Sequence, residues 1–307
     1  MRRPVSASPP TVRFIGVSTG GSLIHRVFPH WARVLGVDAA VRGVDLPRGA
    51  PDEVFRAAVR EIRADESCLG AVVTSWKSVL YAAAAEEFDG LDARAVQCRE
   101  INAIRHAGGR VLGAARDPVS VGRVVDRIWP DLDADLLCLG SGGTAIALAR
   151  HLRERGQRGR LVFLDRDPAR AEHFTEVAGV RATADQGPYD AWVRRQRPGT
   201  LVVNATGSGK DGDAEPVTPD VVFPSGSVFW DLNYRGELRT LAAARNQAAA
   251  RGLAVHDGLA LFCHGWAAAL TAVLGLAEDP GLADAFAAVL PEVKGRAATG
   301  GGGRPRG

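Results

Sequence analysis

Residues 134–167 read ADLLCLGSGGTAIALARHLRERGQRGRLVFLDRD, and the order of the parts decides the fold. Leu136–Leu139 is a short apolar run with the character of a buried strand. Gly140-Ser141-Gly142-Gly143 follows at once, then an Ala/Leu-rich helical stretch, Thr144–Arg155, that stops at Gly156. A second apolar run, Leu161–Leu164, is tipped by Asp165. Strand, glycine turn, helix and acid-tipped strand make a βαβ unit of the dinucleotide-binding kind. Glycines let the backbone approach a pyrophosphate, and the helix N-terminus offers unpaired N–H groups and a partial positive charge. The turn is G-x-G-G, so Ala145 or Ile146 takes the close-packing place of a third glycine. Asp165 comes 25 residues after Gly140, close to the interval of about 20 at which an acid meets a ribose. The bland alternative is a structural turn followed by a surface aspartate.

Working outward, 307 residues suit two domains and supply a sizeable core. Apolar content of 46% and charged content of 24% are those of a soluble globular protein. A net charge of +3, with scattered basic residues, gives no case for nucleic acid. Short basic pieces such as Arg194-Arg195-Gln196-Arg197 read as solvated surface. Cys68, Cys98, Cys138 and Cys263 are far apart with no C-x-x-C, and the seven histidines form no H-E-x-x-H. Buried thiols are therefore expected, with no metal site. No apolar run approaches a membrane span of about 20 residues. MRRPVSASPP lacks the apolar core of a signal peptide, so a cytoplasmic location is expected.

Strand and helix signals alternate on both sides of the glycine turn, which indicates an α/β fold with a parallel-type sheet in each half. Ahead of it, Val12–Val17, Ala39–Leu46 and Gly70–Thr74 read as strands. Ile24–Leu35, Pro51–Ala64 and Ser78–Phe88 read as helices. Glu100–Ile104 and Arg110–Gly113 read as a hairpin about Gly108-Gly109, and Asp117–Trp129 as a helix. Behind it come Pro168–Val177 (helix), Leu201–Asn204 and Val228–Leu232 (strands), Leu238–Arg251 (helix) and Ala254–Asp257 (strand). TGSGKDGDAEP, between the first two of those strands, is a polar loop. Gly258–Leu274 and Gly281–Leu290 are closing helices. The expected organisation is a substrate and catalytic domain over 11–117, completed by 258–292 packing back on it. A Rossmann-like domain spans 118–257, and residues 1–10 and 295–307 are expected as disordered tails.

Several polar residues stand at strand ends, where open α/β sheets place ligands. Thr74 and Lys77 follow a strand, Asn102 interrupts an apolar hairpin, and Asp117 opens a helix. Oxidation of an alcohol needs a group that removes the hydroxyl proton as hydride leaves for a nicotinamide. A lysine oriented by a carboxylate is suited to that. Taken singly, each has an ordinary explanation: a surface charge, a helix cap, or an amide that satisfies turn backbone.

Together they resemble the shikimate/quinate dehydrogenase family, from about Val12 to Leu290. That family's serine-rich turn is similar to Ser18–Ser22. Its Asn-Val-Thr…Lys segment resembles Val72-Val73-Thr74-Ser75-Trp76-Lys77, and its Ala-Val-Asn-Thr resembles Glu100-Ile101-Asn102-Ala103. Ala115-Arg116-Asp117 stands for Asn-Thr-Asp, Gly140–Gly143 for the glycine turn, Asn204-Ala205-Thr206-Gly207 for Asn-Ala-Thr-Pro, and Gly258-Leu259-Ala260-Leu261-Phe262 for the closing Gly-Leu-x-Met-Leu. The resemblance implies Lys77 and Asp117 as the catalytic pair and Ser22, Thr74 and Asn102 as substrate-binding residues. Gly140, Ser141, Gly142, Gly143, Asp165, Arg166, Asn204, Thr206 and Gly258 would hold the cofactor. Departures cluster at substrate positions. Ile24 and His25 replace a Ser-Pro pair, Lys77 lies one residue nearer Thr74, Gly265 beside His264 takes the place of a late Gln, and Arg116 replaces a Thr. Hydride chemistry on shikimate, quinate or a modified shikimate or cyclitol is the implied activity.

NADP-using members carry Asn-Arg-Thr where this chain has Asp165-Arg166-Asp167. Two carboxylates flanking the arginine favour NAD over NADP, and Asp165→Asn is expected to improve use of NADP. The expected partner is a small polyhydroxylated ring, with no nucleic acid and no membrane; the sequence leaves the oligomeric state open, a homodimer included. Two other readings stay open: a Rossmann enzyme acting on a folate or an amino acid, and a ligand-sensing relative without turnover.

Overall fold

The computed structural model describes residues 9–209 and 215–299, with side chains through 291. Residues 1–8, 300–307 and 210–214 of the polar loop lie outside the described residues. Residues 295–299, expected within a disordered tail, instead continue the last helix to Thr299 through the good helix formers Arg296-Ala297-Ala298. The chain divides into two compact units, 1–116 with 266–307 and 117–265.

The first unit opens with β1 (Thr11–Gly16), α1 (Ile24–Leu35), β2 (Ala40–Asp45), α2 (Asp52–Ala64), β3 (Cys68–Val73) and α3 (Lys77–Ala84), the last followed by one 3₁₀ turn. Next come β4 (Gly90–Leu91), α4 (Ala93–Cys98), β5 (Ala103–Ala107) and β6 (Arg110–Ala114). The sheet order is β2-β1-β3-β5-β6-β4. Its first three strands are parallel, as the strand–helix alternation requires. The hairpin of β5 and β6 then joins β3 antiparallel, so this sheet is mixed rather than purely parallel. Ile15, Val73, Phe55, Ile62 and Leu80 form the core between the sheet and the helices α2 and α3.

The second unit holds α5 (Asp117–Ile128), β7 (Leu136–Leu139), α6 (Gly143–Glu154), β8 (Leu161–Asp165), α7 (Pro168–Ala178), β9 (Ala182–Ala184), α8 (Asp190–Arg194), β10 (Leu201–Asn204), β11 (Val228–Asp231), α9 (Arg239–Arg251) and β12 (Ala254–His256). All six strands are parallel in the order β12-β11-β10-β7-β8-β9. That is the doubly wound order, and its direction reverses between β7 and β10, where such sheets bind ligands. The glycine turn leaves β7 at that point. The central strands β7 and β10 are buried along their whole length because both faces of a parallel sheet are covered.

The closing helices are α10 (Leu259–Leu274) and α11 (Leu282–Thr299). From residue 266 onward they belong to the first unit. Trp31 of α1 stacks on Phe286 of α11, with centroids 4.3 Å apart and planes 5° from parallel, and its indole N–H donates to the Phe286 carbonyl at 3.0 Å. Trp266 closes on Phe14 of β1 at 5.2 Å. These contacts cover the sheet face opposite α2 and α3. No helix among the described residues is long and apolar enough to cross a membrane.

Candidate functional site

In the second unit, Gly140 adopts φ +103°, a region that L side chains rarely enter. A Cβ there would lie 2.7 Å from the carbonyl of Ala205 and 2.8 Å from the Thr206 nitrogen. The exit of β7 therefore lies flat against the backbone that follows β10. Ser141 is buried, and both its backbone N–H and its hydroxyl donate to Oδ2 of Asp165, at 2.9 and 2.8 Å. Oδ1 of Asp165 accepts the Asp167 N–H at 3.0 Å. Asp165 is only 8% exposed, and its carboxylate braces the glycine turn.

Above that turn the N-terminus of α6 is open. Gly142 is the N-cap with no side-chain cap, there is no acid in the first turn, and the helical ladder starts at Ile146 N–H to Gly142 O. The N–H groups of the first turn have no intrahelical acceptor. A Cβ on Gly142 would meet nothing within 4 Å. A pyrophosphate fits such a cradle: unpaired donors, the positive end of the helix dipole, and no side chain in the way. Ala145 and Ile146 are buried and fill the close-packing place. Arg166 is exposed, with its guanidinium on the Glu215 carbonyl at 3.4 Å and against the Tyr189 hydroxyl, while Asp167 caps α7 through the Ala169 N–H at 2.9 Å.

Asn204 ends β10 and faces inward, fully buried. Its Nδ2 donates to Asp231 at 3.0 Å, and its Oδ1 accepts the Thr206 hydroxyl at 2.7 Å and the Thr206 N–H at 3.2 Å. Gly258 is required sterically, since a Cβ would lie 2.1 Å from the Leu232 carbonyl oxygen. Asp231 and Asn233 escaped the sequence reading. The available signal was the register: Asp231 closes its apolar strand opposite Asn204, the position at which polar strand-end residues were sought.

In the first unit, the structure gathers residues at the exit of β3. A Cβ on Gly16, at the end of β1, would lie 3.1 Å from the Thr74 hydroxyl and 3.0 Å from Cγ2 of Thr19, which places those two side chains beside one another. Trp76 pins the following turn by donating its indole N–H to the carbonyls of Gly16 and Leu46, each at 3.1 Å. Lys77 is the first residue of α3, and its carbonyl accepts the Ile101 N–H at 3.0 Å. Asn102 accepts the Val73 N–H on its carbonyl, and its Oδ1 accepts the Arg116 N–H at 2.7 Å. Thr74, Lys77 and Asn102 thus share one backbone network. The Arg116 guanidinium, expected as an added charge beside Asp117, instead reaches Asp92 at 3.5 Å and Glu278 at 3.4 Å. Ser22 lies before α1, its hydroxyl oxygen accepting the Ile24 N–H at 3.4 Å. Ile24 is fully buried, and His25 Nε2 lies 3.0 Å from the Thr19 carbonyl. Thr19, 4% exposed with its N–H on Asp45 at 2.7 Å, is a further polar residue of this corner that the sequence did not single out. Asp117 opens α5 in the second unit at 7% exposure, and its carbonyl accepts the Ser120 hydroxyl at 3.1 Å. Among the described residues, all four cysteines are buried, and no cluster of three or more His, Cys, Asp or Glu side chains is arranged for a metal.

No family model matches the chain. It is 32% identical to the shikimate dehydrogenase (NADP(+)) of Stenotrophomonas maltophilia over 213 residues, 69% of this chain and 71% of that one. The chain belongs to the shikimate dehydrogenase family. Shikimate dehydrogenases are oxidoreductases acting on a CH–OH group. The family fold extends beyond the aligned sequence. A Thermus thermophilus shikimate 5-dehydrogenase crystallised with shikimate superposes with a TM-score of 0.70 at 26% identity, covering 92% of this chain and 99% of that one. The same enzyme with NADP(H) and shikimate gives 0.69 at 25% identity, covering 91% and 98%.

Proposed function

We propose that the protein reversibly oxidises a ring hydroxyl of shikimate, quinate or a modified relative, with a nicotinamide dinucleotide as redox partner. The reading is supported by the backbone bonds that hold the Val73–Lys77 segment against Ile101-Asn102 at the exit of β3, in a chain whose other unit presents an open, glycine-lined helix N-terminus. Lys77 takes the hydroxyl proton as the ring carbon is oxidised and returns it in the reverse direction, and Asp117 is the second catalytic residue. Ser22, Thr74 and Asn102 orient the ring hydroxyls. Gly142 and Gly143 offer open backbone donors to the pyrophosphate, Gly140 and Ser141 form the turn that brings them there, and Asn204 and Thr206 lie on the neighbouring strand exit. The nicotinamide supplies hydride acceptance and donation when bound.

We further propose NADP rather than NAD as the working carrier. The expected preference for NAD rested on the two carboxylates that flank Arg166; Asp165 accepts from Ser141 and from the Asp167 N–H, and Asp167 caps α7. Arg166 is the exposed cation at that strand tip, placed to meet a 2′-phosphate. The named NADP dependence of the Stenotrophomonas relative supports the same choice. No observation favours the ligand-sensing alternative.

The test is turnover of shikimate, quinate, aminoshikimate and a cyclitol panel with each cofactor. Turnover of at least one ring is expected, with Lys77→Ala lowering kcat by about 10²–10⁴-fold while cofactor affinity stays unchanged. Cofactor binding without turnover of any ring would overturn the proposal.

A further inference from the structure

Six hydrogen bonds at the carboxyl ends of β10 and β11 form a closed circuit. Asp231, with no exposed surface, accepts Asn204 Nδ2 on Oδ2 at 3.0 Å. Asn204 Oδ1 accepts the Thr206 hydroxyl at 2.7 Å, and that hydroxyl oxygen accepts the Ser208 N–H at 3.1 Å. The Ser208 carbonyl accepts Asn233 Nδ2 at 3.0 Å. Asn233 returns to Asp231, giving Oδ1 both its Nδ2, at 2.9 Å, and its backbone N–H, at 2.8 Å. Every amide orientation in the circuit follows from one requirement: Asp231 only accepts. Such a ring ties residues 204–208 to the end of β11, and the Ala205–Thr206 peptide within it is the one packed against Gly140.

We infer that Asp231 is a positioning residue for the cofactor: its carboxylate sets the Asn204–Thr206 edge against the glycine turn without itself touching the ligand. The inference rests on the proposal that Asn204 and Thr206 border the cofactor. A buried carboxylate here has a purpose that packing does not explain, since an apolar residue would fill the space and leave Asn204 and Asn233 unpaired. Burial, offset by the bonds from Asn233 and Asn204, pushes Asp231 up to about 6. Glu215 is the charged neighbour that adds to this. Glu215 is held by the Arg239 N–H and the Thr240 hydroxyl on α9. At the end of β12, burial lowers the pKa of His256, partly offset by the next residue, Asp257, which is 3.7 Å from Arg245. Protonation of Asp231 would put a donor where the circuit needs an acceptor.

The measurement is the dissociation constant of NADPH by fluorescence titration of the full chain, from pH 5 to pH 8. Asp231→Asn is expected to weaken binding about tenfold or more at pH 8, the cost of losing hydrogen bonds to a charge, with kcat at saturating cofactor changed far less. Wild-type affinity is expected to fall below about pH 6, over and above any step shared by both proteins, which belongs to the cofactor's own phosphate. Asn233→Ala, which opens the circuit elsewhere, is expected to weaken binding in the same direction, and it carries the test if Asp231→Asn does not fold. If Asn204→Ala and Thr206→Ala weaken binding while Asp231→Asn and Asn233→Ala bind like wild type, the positioning inference is overturned. If Asn204→Ala and Thr206→Ala also leave binding unchanged, the placement of the cofactor edge is what fails.

Discussion

Asp165 and Asp231 each end a strand of the same parallel sheet, and both turn inward to hold backbone. For Asp165 this changes an expected outcome. Asp165→Asn leaves an amide N–H₂ near the two Ser141 donors, so it is expected to cost about 1–3 kcal/mol of stability and to weaken both cofactors, not to favour NADP. Chemical denaturation beside paired NAD and NADP kinetics checks this, and a gain in NADP efficiency alone would restore the ribose-binding role. Arg166→Ala is expected to raise KM for NADP by about tenfold, one lost charge-assisted contact, with KM for NAD little altered. An equal effect on both cofactors argues against a 2′-phosphate contact. The residue types were legible in the sequence, since Thr74, Asn102 and Asp165 stand at strand ends and Lys77 opens the helix that follows one. Their orientations were not, because an aspartate at a strand tip has the same local pattern whether it faces solvent or Ser141.

Elements were legible in proportion to their length. The helices α1, α6 and α9 and the strands β7, β8 and β10 follow periodicity and glycine punctuation closely. Four elements went unread, β4, α4, β9 and α8, each of two to six residues and too short for either period to repeat. Of these, α4 carries weight. Asp92 is its N-cap, with Oδ1 on the Ala95 N–H at 2.7 Å and the Ala115 N–H at 3.2 Å, so one side chain joins the helix to the strand exit that leads to Asp117. Asp92→Ala is expected to cost about 1 kcal/mol for the cap, read as a lowered denaturation midpoint, and an unchanged midpoint removes α4 from that supporting role. At the glycine turn, Gly140→Ala forces a side chain into positive φ against the Ala205 backbone, a strain of about 1–3 kcal/mol expected together with a loss of cofactor affinity. Full retention of both would mean that the turn tolerates a shift.

On the scale of the whole molecule, alternation of strand and helix signals sufficed for two α/β sheets, and the glycine turn located the reversal of strand order in the second. The mixed character of the first sheet escaped that rule, because a hairpin can add to a parallel edge without altering the pattern before it. The return of α10 and α11 was part of the expected organisation, and the stacking of Trp31 on Phe286 is a physical basis for it. Trp31→Ala is expected to destabilise the first unit by about 3–5 kcal/mol, seen as an earlier thermal transition. A melting curve like wild type would show that α11 is not what secures that face.

The split of the first unit between the two ends of the chain has a consequence for biosynthesis. The second unit is contiguous and has all its strands once residue 265 has left the ribosome. The earlier-made part of the first unit keeps Phe14 of its sheet and Trp31 of α1 without their aromatic partners until Trp266 and Phe286 emerge. Translation thus finishes the later-encoded unit first, and a nascent chain stalled before residue 286 would carry an aromatic surface open to chaperones.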